Sequence, residues 1–340
     1  MMRVWENRED WGVDNLELVE RPSPGPPAAG QIKVKMRAAS VNYRDLVTIS
    51  NSTPFGKLPQ IPFSDGCGEV IAAGESVTRF SVGDHVCPTF FPSWIDGPPG
   101  GANRAVSLGS ASAPGLLQEE IVLDAEHAVL APANLTSVEA ATLPCAGLTA
   151  WRAVSAQGNV RKGEIVLVQG TGGVSIFALQ FAKMLGARVI VTSSSEEKLD
   201  RARALGADHL INYSATPEWG KAVLEITNGR GADLIVEVGG AGTISESLIA
   251  AAINARIMVV GVLGGRSQEL LMPVIFGKNL HIQGISVGSR AMFEQMVDVI
   301  VQHDLHPVVD QVFPFGQVPD ALRAMKAANH FGKIAIDFVA

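Results

Sequence analysis

The apolar positions of this chain change rhythm along its length. Early on they fall in short runs of period two, as in Ile32-Lys33-Val34-Lys35-Met36, set between Pro and Gly clusters, and such alternation predicts β-strands with one buried face. Arg21-Pro22-Ser23-Pro24-Gly25-Pro26-Pro27 extends neither a helix nor a central strand, because proline fixes φ and lacks a donor; it is expected to connect strands. A breaker-rich stretch from Pro92 to Gly115 predicts a long surface loop, of a length often tied to function.

From Ile165 onward short β-branched runs alternate with helical stretches. Ile165-Val166-Leu167-Val168 has the composition of a buried strand, and Val174, Phe177, Ala178, Phe181 and Leu185 follow at helical spacing. Further strands are predicted at Arg188 to Thr192, Leu234 to Val238 and Arg256 to Val260, with helices at Glu196 to Leu205, Pro217 to Thr227 and Thr243 to Ile253. Strands alternating with helices imply right-handed βαβ crossovers, hence a doubly wound α/β domain with a parallel sheet. After Gly284 a helix is expected from Met292 to His303, then extended segments ending at Lys333-Ile334-Ala335-Ile336-Asp337-Phe338. Those last strands exceed a Rossmann sheet of ordinary size and are assigned to the β-rich N-terminal domain. The expected division is therefore 1–130 with 286–340 as one domain and 131–285 as the doubly wound domain.

Length and composition narrow the classes without changing that picture. At 340 residues the chain suits about two domains, and 47 % hydrophobic residues with 35 glycines fit compact α/β structure. A net charge of -7 with dispersed acids and bases offers no electrostatic footprint for nucleic acid or an anionic membrane, so a small-molecule partner is expected. The charged opening Met1-Met2-Arg3-Val4-Trp5-Glu6 does not read as a secretory signal, and no segment has the apolar length of a membrane span; a cytoplasmic setting is the expectation. Cys67, Cys87 and Cys145 are odd in number and form no C-x-x-C, which argues against a disulfide framework.

Gly170-Thr171-Gly172-Gly173-Val174-Ser175 lies between a predicted buried strand and an amphipathic helix, the context that makes a glycine motif informative. Gly170 permits a tight turn, Gly172 lets the backbone approach a pyrophosphate, and the helix N-terminus offers free N–H groups to phosphates. Ser175 stands where the third glycine usually lies. An NAD site usually carries Asp or Glu at the end of the second strand to hold the ribose 2′-hydroxyl; here the position is Ser193, within Thr192-Ser193-Ser194-Ser195. Without that acid, and with Lys198 one helical turn on, NADP is favoured, NAD remaining possible. The competing reading makes these serines a helix N-cap and Lys198 a solvated charge, and Glu196 and Glu197 weigh against NADP. Gly239, Gly261 and Val262 end later strands at the same sheet edge, where their backbones are candidates for the nicotinamide half, with ordinary turns as the alternative.

With these residues in hand the chain resembles the medium-chain dehydrogenase/reductase superfamily. The marks are Val41-Asn42-Tyr43-Arg44-Asp45, Gly74-Glu75-Ser76-Val77 followed by Val82-Gly83-Asp84-His85-Val86, the stretch Leu143-Pro144-Cys145-Ala146-Gly147-Leu148-Thr149-Ala150-Trp151, and the glycine loop. The resemblance implies a GroES-like catalytic domain with a Rossmann domain inserted in it, an active site in the cleft between them, Thr149 among the cofactor residues, and homodimers paired through the edge strand Leu280 to Ile285.

Zinc-dependent members place Cys, then His-Glu, then Cys around a catalytic metal, and the matching positions here are Asn42, Ser64-Asp65 and Cys145; no metal is expected. Asn, an aromatic residue and then Asp two positions on is similar to the zinc-free branch of quinone oxidoreductases and enoyl or acryloyl-CoA reductases. That likeness implies hydride transfer to a quinone or an activated double bond, with Asn42 and Tyr43 as catalytic candidates, Tyr43 equally serving as packing. Asp45 and Asp65 are read as structural hydrogen-bonding groups, with an acid–base pair as the alternative, Cys145 as a remnant of a ligand position, and His127 and His330 carry no role. The alternatives are an alcohol dehydrogenase or ketone reductase, and an NADPH-binding protein with little turnover.

Overall fold

The computed structural model describes residues 1–50 and 57–340. Along the chain run β1 (Met2–Asn7), β2 (Leu16–Arg21), β3 (Gln31–Val41), α1 (Tyr43–Ile49), β4 (Asp65–Ala73), β5 (His85–Pro88), β6 (Glu120–Asp124), β7 (Ala128–Leu130) and α2 (Ser137–Ala140). A helical turn, Leu143–Gly147, leads into α3 (Leu148–Trp151). Then come β8 (Ile165–Gln169), α4 (Gly173–Met184), β9 (Arg188–Ser193), α5 (Glu196–Ala204), β10 (His209–Asn212), α6 (Trp219–Ile226), β11 (Ala232–Glu237), α7 (Ile244–Ala250), β12 (Ala251–Val259), α8 (Met272–Gly277) and β13 (His281–Gly284). The chain closes with α9 (Arg290–Gln302), β14 (Val309–Pro314), α10 (Val318–Ala327) and β15 (Lys333–Asp337).

Internal contacts divide these elements into two units, Met1–Leu148 with Val287–Ala340, and Thr149–Ser286. The first boundary thus falls at Leu148 and not at 130. The physical reason is local: α2 and the turn Leu143–Gly147 pack on β3 and β4, and Cys145 N donates to Asp65.

In the first unit a sheet runs in the order β14-β15-β3-β4-β5-β7, with β6 also on β3, while β1 and β2 form a separate hairpin. The C-terminal strand does join the N-terminal domain: β15 pairs antiparallel with β3 through Ile334↔Val41 and Ala335↔Ser40. The period-two run read at Ile32 to Met36 is the start of an eleven-residue β3, whose later part, Ala38 to Val41, is buried without alternation because it is covered on both faces. Val34, Phe63, Leu116, Phe315, Ile334 and Ile336 belong to the core of this unit.

The second unit holds six parallel strands in the order β10-β9-β8-β11-β12-β13. This is the order of two βαβαβ halves back to back, and the strand order reverses between β8 and β11, the place where such sheets bind ligands beyond their carboxyl ends. Two local expectations need correction. The helix expected from Thr243 to Ile253 stops at Ala250, because Ala251 to Val259 extends along β11 and gains ladder hydrogen bonds there. The short β10 was not expected; its four residues are too few for a period to register, and its pairing to β9 decides it.

Candidate active site

In the second unit the dinucleotide motif sits where the sequence puts it, between β8 and α4. Gly170 has φ 70°, which only glycine adopts without strain, and its N–H donates to Thr192 O at 2.8 Å. A Cβ built at Gly170 or Gly172 would meet nothing within 4 Å, so this face of the loop is open. No side chain caps α4. Its first N–H groups are therefore available to phosphate oxygens, and the residues present fit a pyrophosphate. Ser175, in place of the third glycine, donates its hydroxyl to Gln169 O at 2.7 Å and so ties the helix back to the strand it follows. Thr149 and Thr171 are buried, Val174 half-buried and Val262 exposed.

A buried carboxylate that sequence reasoning missed organises the neighbouring strand end. Glu237, the last residue of β11, accepts from Gly239 N and Gly240 N at 2.9 Å each and from the Thr243 hydroxyl on Oε1. Its Oε2 accepts from Gln169 Nε2 at 2.7 Å and from the Ser247 hydroxyl. Gln169 in turn accepts from Val238 N at 3.2 Å, so the ends of β8 and β11 are locked together. The glycines here have a packing reason: a Cβ on Gly239 would strike the Thr243 side chain, and one on Gly261 would lie 2.6 Å from Val238 O.

At the end of β9, Ser195 caps α5 by accepting from Lys198 N, and Ser193 Oγ accepts from Ser195 N, both at 3.3 Å. The capping role weighed against these serines thus belongs to Ser195. Ser193 is buried and Ser194 exposed. Glu196 is turned away to accept from Asn212 Nδ2 at 2.6 Å.

The first unit gathers a second cluster at one end of the β15–β3–β4 ladder. Asn42 precedes α1, and its N–H donates to Asp45 Oδ2 at 2.8 Å, closing the first turn. Register sets Lys333 beside it: Lys333 Nζ donates to Asn42 Oδ1 at 2.6 Å and to Val41 O at 2.7 Å, although the residue is 2 % exposed. On β4, Asp65 Oδ1 accepts from the Ser64 hydroxyl at 2.8 Å and Oδ2 from Cys145 N at 3.1 Å. Asn42 is 7 % exposed and its Nδ2 reaches no acceptor at hydrogen-bond distance, although the amide helps hold the Asp65 carboxyl down. Tyr43, first residue of α1, is 55 % exposed.

Burial dominates the ionisation of this cluster. It pushes Asp45 up to about 6, against the pull of Arg44, whose Nη1 lies 3.4 Å from Oδ1. It raises Asp65 against Lys333, lowers Lys333 against Asp65, and drives the Cys145 thiol well up. Asp45 and Asp65 act on each other as like charges, and the structural hydrogen bonding expected of both is present. Lys333 was not expected here. Its one sequence signal is a lysine directly before the apolar run Ile334-Ala335-Ile336.

Comparison with known proteins now adds to this geometry. Residues 28–133 match the alcohol dehydrogenase GroES-like domain family, and residues 173–302 the zinc-binding dehydrogenase family. A zinc-type alcohol dehydrogenase-like protein of Schizosaccharomyces pombe is 42 % identical over 96 % of both chains. Among solved structures, a candidate alcohol dehydrogenase of Sinorhizobium meliloti is 44 % identical with TM-score 0.91, covering 99 % of this chain and 98 % of the other. An NAD-dependent alcohol dehydrogenase is 33 % identical with TM-score 0.90 over 99 % of both. A mycobacterial quinone oxidoreductase and a mycobacterial protein complexed with NADPH are each 26 % identical, with TM-scores 0.81 and 0.82, covering 99 % of this chain and all of theirs. With two domains in family order and a relative this close over nearly its whole length, the chain belongs to the medium-chain dehydrogenase/reductase superfamily and is an oxidoreductase of that family.

Proposed function

We propose that this chain is an NADP(H)-dependent oxidoreductase that works without zinc and delivers hydride to a quinone or to the β-carbon of an α,β-unsaturated carbonyl. The observation that carries the reading is Lys333. Where zinc-dependent relatives place metal ligands, this chain has a buried ammonium bonded to Asn42, a carboxylate at Asp65 whose two oxygens already accept hydrogen bonds, and a Cys145 thiol that burial disfavours as thiolate. Among the described residues no three His, Cys, Asp or Glu side chains are placed to hold a metal ion. Such a donor set does not fit zinc, which needs three or four N, S or carboxylate ligands free to bind it.

The nicotinamide group supplies the hydride when bound; Gly170, Thr171, Gly172, Gly173 and the start of α4 would hold its pyrophosphate, and Thr149, Val174, Gly239, Gly261 and Val262 stand as further cofactor residues. Ser193, Ser194 and Lys198 would meet the adenosine ribose, and the absence of an acid at Ser193 supports NADP over NAD. The NADPH complex of one structural relative agrees with this, while the NAD-dependent relative supports the nicotinamide cofactor in general. Asn42 and Tyr43 are assigned the chemistry. Lys333 has donors only, so it must meet Oδ1 of Asn42 and leave Nδ2 as a donor for negative charge developing on a carbonyl oxygen. Tyr43 carries an exposed phenol that can exchange its proton with solvent.

An alcohol dehydrogenase or ketone reductase is the second reading, favoured by the names of the nearer relatives. An acceptor and alcohol screen following NADPH absorbance, run beside elemental analysis of the purified protein, separates the two. Reduction of quinones or enones with substoichiometric zinc is the expected result. About one zinc per chain retained against a chelator, with alcohol oxidation, would overturn the proposal, and tight NADPH binding with no turnover on any acceptor would favour a binding protein instead. We also propose pairing of two copies through the edge strand β13, in line with its exposed Ile282 and the exposed apolar Leu271, Met272 and Phe276 nearby in the chain.

A further inference from the structure

Along β4 from Asp65, the first unit holds two thiols with no part in the proposed hydride transfer. Cys67 on β4 and Cys87 on β5 are free and both 0 % exposed. The antiparallel register Gly68↔Val86 and Glu69↔His85 puts them directly opposite each other, one pair further along. Val70 N donates to Asp84 O, which marks 70/84 as a hydrogen-bonded pair; alternation then leaves 67/87 a non-hydrogen-bonded pair, the kind whose Cα atoms lie about 4.5 Å apart. That spacing falls within the range a disulfide spans, and side chains of an opposed pair leave the sheet on the same face. We propose that Cys67 and Cys87 form a dithiol that hydrogen peroxide converts to a cross-strand disulfide, Cys67 attacking and Cys87 resolving.

The surroundings favour that division of labour. His85 and Ser137, hydrogen-bonded to each other at 3.1 Å, both reach Cys67 and both line a surface pocket of about 380 Å³ shared with Arg37 and Glu69. His85 is exposed and lines that pocket, so it links the Cys67 surroundings to solvent. The Cys87 thiol donates to Ala140 O at 3.4 Å. The neighbouring Cys87 thiol and His85 lower Cys67, while contact with Cys67 and burial raise Cys87, so Cys67 is the thiol of the pair that gives up its proton more readily. In the first step the Cys67 thiolate displaces hydroxide from peroxide and becomes a sulfenic acid. In the second, Cys87 loses its proton and attacks that sulfur, the S–S bond forms, and the sulfenic oxygen leaves as water. Two thiols and one peroxide give one disulfide and two waters.

The test treats the intact chain with hydrogen peroxide, blocks remaining thiols and maps peptides without reduction. The expected products are a Cys67–Cys87 linked peptide lacking two hydrogens and reversed by dithiothreitol, with Cys145 still blocked by the alkylating reagent. Cys87→Ser should stop at a sulfenic acid on Cys67 that dimedone captures, and Cys67→Ser should slow peroxide consumption by about tenfold or more. Wild-type protein that keeps both thiols alkylatable after peroxide, or that oxidises first at Cys145, would overturn the proposal without reliance on either variant.

Discussion

Asp45→Asn isolates one buried charge and lets its cost be read as a function of pH. Asp45 is fully buried, its Oδ2 accepts the Asn42 N–H, and burial lifts its carboxyl from 3.8 to about 6. In the unfolded chain the group ionises near the ordinary value. Between the two values the unfolded state has released its proton while the folded state still holds it, so rising pH favours unfolding through this window, and above about 6 the full cost is present. A raised pKa of about two units, at roughly 1.4 kcal/mol per unit, sets that cost at about 3 kcal/mol. Asparagine keeps an acceptor for the Asn42 N–H and cannot ionise. The stability difference between variant and wild type should therefore move by about 2.4 kcal/mol in the variant's favour from pH 4 to pH 7, or roughly sixtyfold in protection. Hydrogen exchange at amides of β3 and β4, compared between the two proteins at each pH, reads this directly, because intrinsic exchange rates cancel, as do titrating groups that do not interact with Asp45. Relief of like charge on Asp65 acts in the same direction. A difference that stays flat across the window, or that moves toward the wild type, would refute the reasoning.

Three further expectations concern function. Asn42→Ala and Tyr43→Phe should each lower kcat and kcat/KM together by ~10²-fold if their hydrogen bonds form mainly in the transition state, and steady-state kinetics with one reduced acceptor checks it; unchanged kcat in both would leave them as packing. Lys333→Met should reproduce the kinetic loss of Asn42→Ala by freeing the amide, and should also cost about 3–5 kcal/mol in denaturant unfolding, since it strands a buried carboxylate; loss of stability at full kcat would deny Lys333 a positioning role. Wild type should bind NADPH more tightly than NADH, and Ser193→Asp should reverse the order by repelling the 2′-phosphate, as measured by fluorescence titration; wild-type preference for NADH would sink the assignment.

The parts of the cofactor site that lie within one stretch of chain were legible early. Gly170 to Val174 joins a strand to the helix that follows it, so motif and geometry are the same local fact, and the Ser193 position follows from counting to the end of the next strand. The Asn42-Tyr43-Arg44-Asp45 segment was found through its resemblance to a family, and its capping hydrogen bond is again local. Lys333 and Glu237 were missed for a common reason. Each is a charge in an apolar strand, and such a residue reads as solvated until the partners that satisfy it are known. For Lys333 those partners, Val41 and Asn42, are far off in sequence; for Glu237 only Gln169 is, and its other donors, Gly239, Gly240, Thr243 and Ser247, become partners through the turn that follows β11.

By itself the sequence determined the alternation of strand and helix, the doubly wound sheet and the glycine loop, because periodicity and backbone freedom are properties of neighbouring residues. Tertiary structure decided the boundary at Leu148, the ammonium beside Asn42 and the opposition of Cys67 to Cys87. The last two depend on strand register, and a shift of one residue would turn the same side chains to the other face of the sheet, whereas the boundary follows from the packing of α2 and the Leu143–Gly147 turn on β3 and β4.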